Sequence, residues 1–121
     1  MSGFSKRIQG IRERVQRAAE KAGRDAEKIQ ILAVAKTAGP DDLKEAWDSG
    51  QNLFAHNRVD GLAEGRRMLP DAEWHMVGRL QGKMVRKAWK LMDGLHSFDR
   101  LDLGKKLDLA GSAFGGPPLK V

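Results

Sequence analysis

The sequence predicts an α/β fold built from strand–helix units on a parallel sheet. Three observations carry this. Short apolar runs alternate four times with amphipathic stretches, after one long amphipathic stretch at the start. Glycine, proline and aspartate fall where helices should begin and end. The chain has 121 residues, half of the roughly 250 that a (β/α)8 barrel uses. Four units in that length predict half a barrel.

The elements follow in order. Phe4, Ile8, Ile11, Val15, Ala18, Ala19 and Ala22 step by three or four, one apolar stripe of a helix that Gly23 is placed to end. The run "QILAVAKT", residues 30–37, reads as a fully buried strand ending on Lys36. "GPDDLKEAWDSG" opens with Pro40 and Asp41 and closes with Gly50, with Leu43, Ala46 and Trp47 on one helical face. "NLFAHN" is the second strand. "RVDGLAEGRRMLP" has Val59, Leu62 and Ala63 at helical spacing, weakened by two glycines at about 1 kcal/mol each relative to alanine. "EWHMVG" is the third strand. "LQGKMVRKAWKLM" predicts a good helix with Val85, Ala88, Trp89 and Met92 together. "GLHSFD" is the fourth strand, and "RLDLGKKLDLAG" a poorer helix with Leu103, Leu107 and Ala110 aligned. In "GGPPLKV", Leu119 and Val121 look like the first residues of a fifth strand. The whole chain, 1–121, is therefore expected to be one partial barrel domain, truncated at that strand.

Composition narrows the function classes. A hydrophobic fraction of 40% and a charged fraction of 31% are those of a globular chain. There is no cysteine, so disulfide and thiolate chemistry are excluded, and a cytoplasmic setting is expected. No apolar run approaches a membrane span, and the N-terminus lacks a signal-peptide core. The net charge of +6, from 22 Lys+Arg against 16 Asp+Glu, suits anionic partners without choosing among them.

In parallel α/β folds the active edge is the C-terminal end of the strands. Lys36 ends strand one there; His56 and Asn57 end strand two; Arg79 follows Gly78 after strand three; Ser97, Asp99 and Arg100 follow strand four. A lysine that is desolvated or beside another cation turns nucleophilic and can form a Schiff base with an aldehyde. On pattern alone the commoner reading is a lysine that snorkels to solvent. His56, His75 and His96 lie on three successive strands. Three histidines can hold a metal, but His75 is mid-strand and no acidic partner stands out, so no metal is expected. Lys83, Lys87 and Lys90 share one side of their helix, opposite Val85 and Trp89. They are expected to be a solvated face; a nucleic-acid patch is the alternative, without a motif to accompany it. No phosphate-loop glycine pattern is present.

The segments "AGRDAEKIQILAVAKT", "GQNLFAHNRVDG", "EWHMVGRLQGKMVRK" and "LHSFDRLDLGKKL" resemble, in order and spacing, the pyridoxal phosphate homeostasis proteins. The resemblance implies the N-terminal half of an alanine-racemase-like (β/α)8 TIM barrel of fold-type III. It implies pyridoxal 5′-phosphate (PLP) held as a Schiff base on Lys36, in a carrier with no catalytic reaction assigned. It also implies that Asn57, His75 and Gly78 line the cofactor pocket, with Arg79 and Ser97 beside them, and that His96, Ser97 and Asp99 match the strand-four motif.

Departures accompany the likeness. Ala55, His56 and Asn57 stand where the family usually reads Gly-Glu-Asn, and Arg79 where it usually has histidine. Both exchanges are expected to make the mouth more cationic. In the family the phosphate cup comes from later strands. A half barrel leaves sheet edges and apolar interior uncovered, so a homodimer or a complementary half barrel is the expected partner. A scaffold or oligomerisation module that binds no PLP is the competing reading.

Overall fold

The computed structural model describes residues 3–121. Helix α1 (Phe4–Ala22) ends where expected, on Gly23 in the left-handed region at φ 70°, whose N–H reaches back to Glu20. It lies against α2 (Pro40–Asp48), buries Ile8 and Ala19, and leaves Ile11 46% exposed. Polar contacts tie the pair: the Ser5 N–H donates to Glu45 Oε2 at 2.9 Å, and Arg12 donates to the Ser49 carbonyl at 3.2 Å.

Strands β1 (Ala33–Val34), β2 (Leu53–His56), β3 (Glu73–Met76) and β4 (Gly94–Leu95) pair in parallel in chain order. Helices α3 (Val59–Met68), α4 (Val85–Trp89) and α5 (Leu101–Phe114) complete the units. The tail joins at one point: Lys120 bridges Gly94 in parallel, and the Leu95 N–H donates to the Lys120 carbonyl at 2.8 Å. The expected fifth-strand segment thus takes the place beside β4.

Successive strand residues face opposite sides, and the register sorts them. Phe54 pairs with Trp74 and His56 with Met76, all on one side; Ala55 pairs with His75, and His75 with Gly94, on the other. The first side packs against the helices. Phe54 and Trp74 stack at 5.2 Å between ring centroids, buried with Leu43, Leu62, Met76, Val85, Leu95 and Leu103.

Several expectations need correction. The first strand is neither eight residues long nor fully buried: only Ala33 and Val34 pair as strand, and Val34 is 51% exposed. Among the described residues it is an edge strand paired with β2 alone, and Val34 points to the sheet face opposite the helices. Trp47 is 37% exposed while Leu43 and Ala46 carry the α2 contact. The long helix expected over 80–92 is a 3-10 turn, Gly82–Met84, followed by the short α4. Val85, Ala88 and Met92 are nevertheless buried as the spacing predicted.

The two α3 glycines are contact sites. A Cβ on Gly65 would lie 2.3 Å from the Trp74 ring, and one on Gly61 2.1 Å from the His56 ring. What reads in sequence as weak helix propensity is the clearance that lets α3 approach the sheet.

Candidate functional site

The C-terminal strand ends gather most of the expected site residues. Lys36 stands two residues beyond Val34, on a turn past the end of β1. It is exposed and makes no hydrogen bond or ion pair among the described residues. Because it is on a turn, strand alternation does not assign it a face of the sheet. It is free to reach a ligand, but it is not desolvated. The hypothesis of a lysine activated by burial finds no support in this geometry.

Asn57 and Arg79 line one cavity of about 480 Å³, with Arg58, Met76, Gln81 and Lys83 also on its wall. Gly78 turns the chain there at φ 77°, and a Cβ on it would touch Asn57 at 3.6 Å. Ser97 Oγ donates to the Gly78 carbonyl, fastening the β4 end to the β3 end. Arg79 is exposed, with Asp99 at 3.8 Å. Arg100 holds Asp99 at 2.7 Å and donates to the Leu80 carbonyl at 2.5 Å. Arg79 is thus the loosely held cation of this group and Arg100 the structural one.

His56 is not part of the same wall as His75. Its ring lies over Gly61 of α3, and Nδ1 accepts the Arg58 N–H at 3.2 Å. Burial lowers its pKa below the ordinary histidine value, against the pull of Asp60. It therefore favours the neutral form, so the exchange raises the charge of the mouth by removing an acid and not by adding a cation. Asp60 is held below the usual carboxylate range, first by the Arg58 guanidinium.

His75 is buried in mid-strand with both ring nitrogens engaged: Nε2 is 2.6 Å from Glu73 Oε2, and Nδ1 is 2.8 Å from His96 Nε2. The reading that the histidines lack an acidic partner is wrong. Glu73 is that partner, held below its ordinary pKa first by the hydrogen bond from His75. The signal was in "EWH": residues two apart in a strand share a face. The three histidines do not converge, and among the described residues no three His, Cys, Asp or Glu are placed to hold a metal ion.

On the outer helix face, Lys90 Nζ sits 4.3 Å and the Arg86 guanidinium 5.3 Å from the Phe114 ring centroid. Part of the basic row is thus engaged with an aromatic side chain. Among the described residues no helix is long and apolar enough to cross a membrane.

No model of a known protein family matches the chain. Curated relatives do. The pyridoxal phosphate homeostasis protein of Aquifex aeolicus is 32% identical over 104 residues, which cover 84% of this chain and 46% of the relative. That of Escherichia coli is 32% identical over 126 residues, covering all of this chain and 53% of the relative. Among solved structures, PipY of Synechococcus elongatus with PLP bound superposes with a TM-score of 0.71 at 32% identity, over 84% of this chain and 49% of that one. A protein from Bifidobacterium adolescentis, described as unknown, gives a TM-score of 0.82 at 27% identity, over 92% and 50%. The chain therefore spans about half the length of the relatives it matches. Over that half, it is a homologue of the pyridoxal phosphate homeostasis proteins.

Proposed function

We propose that this chain binds PLP as a carrier of the homeostasis type, with the cofactor held as a Schiff base on Lys36. The observation that carries the proposal is an exposed, unpartnered lysine at the end of β1, in a chain homologous to PipY, which was solved with PLP bound. Linkage joins the Lys36 amine to the cofactor aldehyde: a C=N bond forms and water leaves. Asn57, Gly78, Arg79 and Ser97 lie at the neighbouring strand ends. Arg79 supplies an exposed cation for phosphate, and the left-handed Gly78 lets backbone approach a ligand closely. His75 acts from beneath this edge. The residues present suit the aldehyde and one phosphate contact. The half barrel supplies binding, and no turnover is assigned to it.

The test is to mix the purified chain with PLP, record the absorbance spectrum, reduce with borohydride and map the modified peptide. An imine band with the label confined to Lys36, lost in Lys36→Ala, is the expected result. Label spread over surface lysines with no distinct band would overturn the reading.

One observation favours a second function, self-association of half barrels as a scaffold. Val34, on edge strand β1, is half-exposed beside a partly open sheet face. Sedimentation equilibrium that finds only monomer, with or without PLP, would end it.

A further inference from the structure

Glu73, His75 and His96 form a chain of hydrogen bonds across one face of the sheet. Its lower end is a carboxylate near the start of β3, with Lys120 Nζ 3.4 Å away. Its upper end is His96, exposed just past β4 at the strand-end edge. The middle imidazole is buried, and the fold makes room for it. Gly94 pairs with His75, and a Cβ there would lie 2.8 Å from the ring. The two rings are 5.1 Å apart between centroids, tilted by 37°.

The direction of the chain follows from what each group can do. An ionised carboxylate only accepts, so His75 Nε2 carries the proton shared with Glu73. A neutral imidazole protonated on Nε2 must accept on Nδ1. His96 Nε2 is then the donor at 2.8 Å. That leaves the other nitrogen of His96 without a proton.

We propose that Glu73 and His75 are positioning residues that fix His96 as its Nε2–H tautomer, so that its Nδ1 faces the strand-end edge as a ready proton acceptor. The site so made takes a ligand group that donates, such as an ammonium, a protonated ring nitrogen or a hydroxyl. The depressed pKa of Glu73 agrees with a carboxylate that stays ionised. The inference is independent of the cofactor reading, because the tautomer is set in the chain without ligand.

Nitrogen-15 spectra of the histidine rings of the ligand-free chain, recorded where imidazole is neutral, decide it. The expected result is a His96 proton on Nε2 and a bare Nδ1. In Glu73→Ala that preference should be lost, with both His96 nitrogens moving toward the average of an unbiased ring. Glu73→Gln, whose amide oxygen still accepts, should restore it. Gly94→Ala, which pushes His75 aside, should abolish it. A His96 proton on Nδ1 in the unaltered chain would overturn the proposal, as would a tautomer indifferent to Glu73→Ala. The unaltered chain and Glu73→Gln keep the test decisive if Gly94→Ala fails to fold.

Discussion

The two faces of this sheet are held by different physics. The helix side is close-packed and apolar: Phe54, Trp74, Met76 and Leu95 are at most 2% exposed, and the Phe54–Trp74 stack adds about 0.5–1.5 kcal/mol beyond its buried area. The opposite side is organised by hydrogen bonds around His75 and is partly open at Val34, with the exposed Lys36 on the turn just beyond. Packing fixes one face without choosing a chemistry. The other face holds its buried polar groups by hydrogen bonds.

The strongest break of that contrast is Trp74→Ala. It should cost about 3–5 kcal/mol, seen as a lower urea midpoint, because a buried indole leaves a cavity. A loss near that of an exposed residue would refute the packed-face description. Next is Gly65→Ala, expected to cost about 1–3 kcal/mol through overpacking despite alanine's better helix propensity. A gain in stability would show that the Trp74 ring yields.

Acid should act on the hydrogen-bonded face. Glu73 has a depressed folded pKa, so its contribution is full above the ordinary 4.5 and is lost as pH falls through the folded value. Glu73→Gln should flatten that part of a melting-temperature profile against pH; an unchanged profile would count against the His75 contact. His56 acts in the same direction at milder acidity. Its folded pKa is also lowered, so below the ordinary 6.5 the unfolded chain binds more protons and stability falls. The smallest effects belong to the open positions. Val34→Ser and Lys36→Ala should each change stability by no more than about 0.5 kcal/mol. A large loss in either would mean that the face is covered in solution.

Much of the helix side was legible in the sequence. Leu103, Leu107 and Ala110, and Val85, Ala88 and Met92, are buried as their spacing required. Alternation predicted the parallel sheet, and the half-barrel length predicted strands in chain order, as the sheet has them. The other side was harder. An apolar run such as "ILAVAK" cannot show whether a second layer exists to bury it, so Val34 was misjudged. His56 and His75 look alike in sequence, but strand parity sends them to opposite faces. Glu73 went unnoticed because a charged residue at a strand start usually signals solvent. Gly61 and Gly65 were read for propensity and Gly94 only as part of a strand, when all three leave space for rings on neighbouring elements.

The single bridge between Lys120 and Gly94 has a kinetic meaning. The Leu95 amide donates to the Lys120 carbonyl, whereas the His96 amide donates to Met76 of β3. Two adjacent amide protons, one at the end of β4 and one just past it, thus report on different neighbours. Hydrogen–deuterium exchange at Leu95 follows undocking of the tail, while exchange at His96 follows opening of the sheet. A fast Leu95 beside a slow His96 would show that the tail comes and goes while the sheet stays closed.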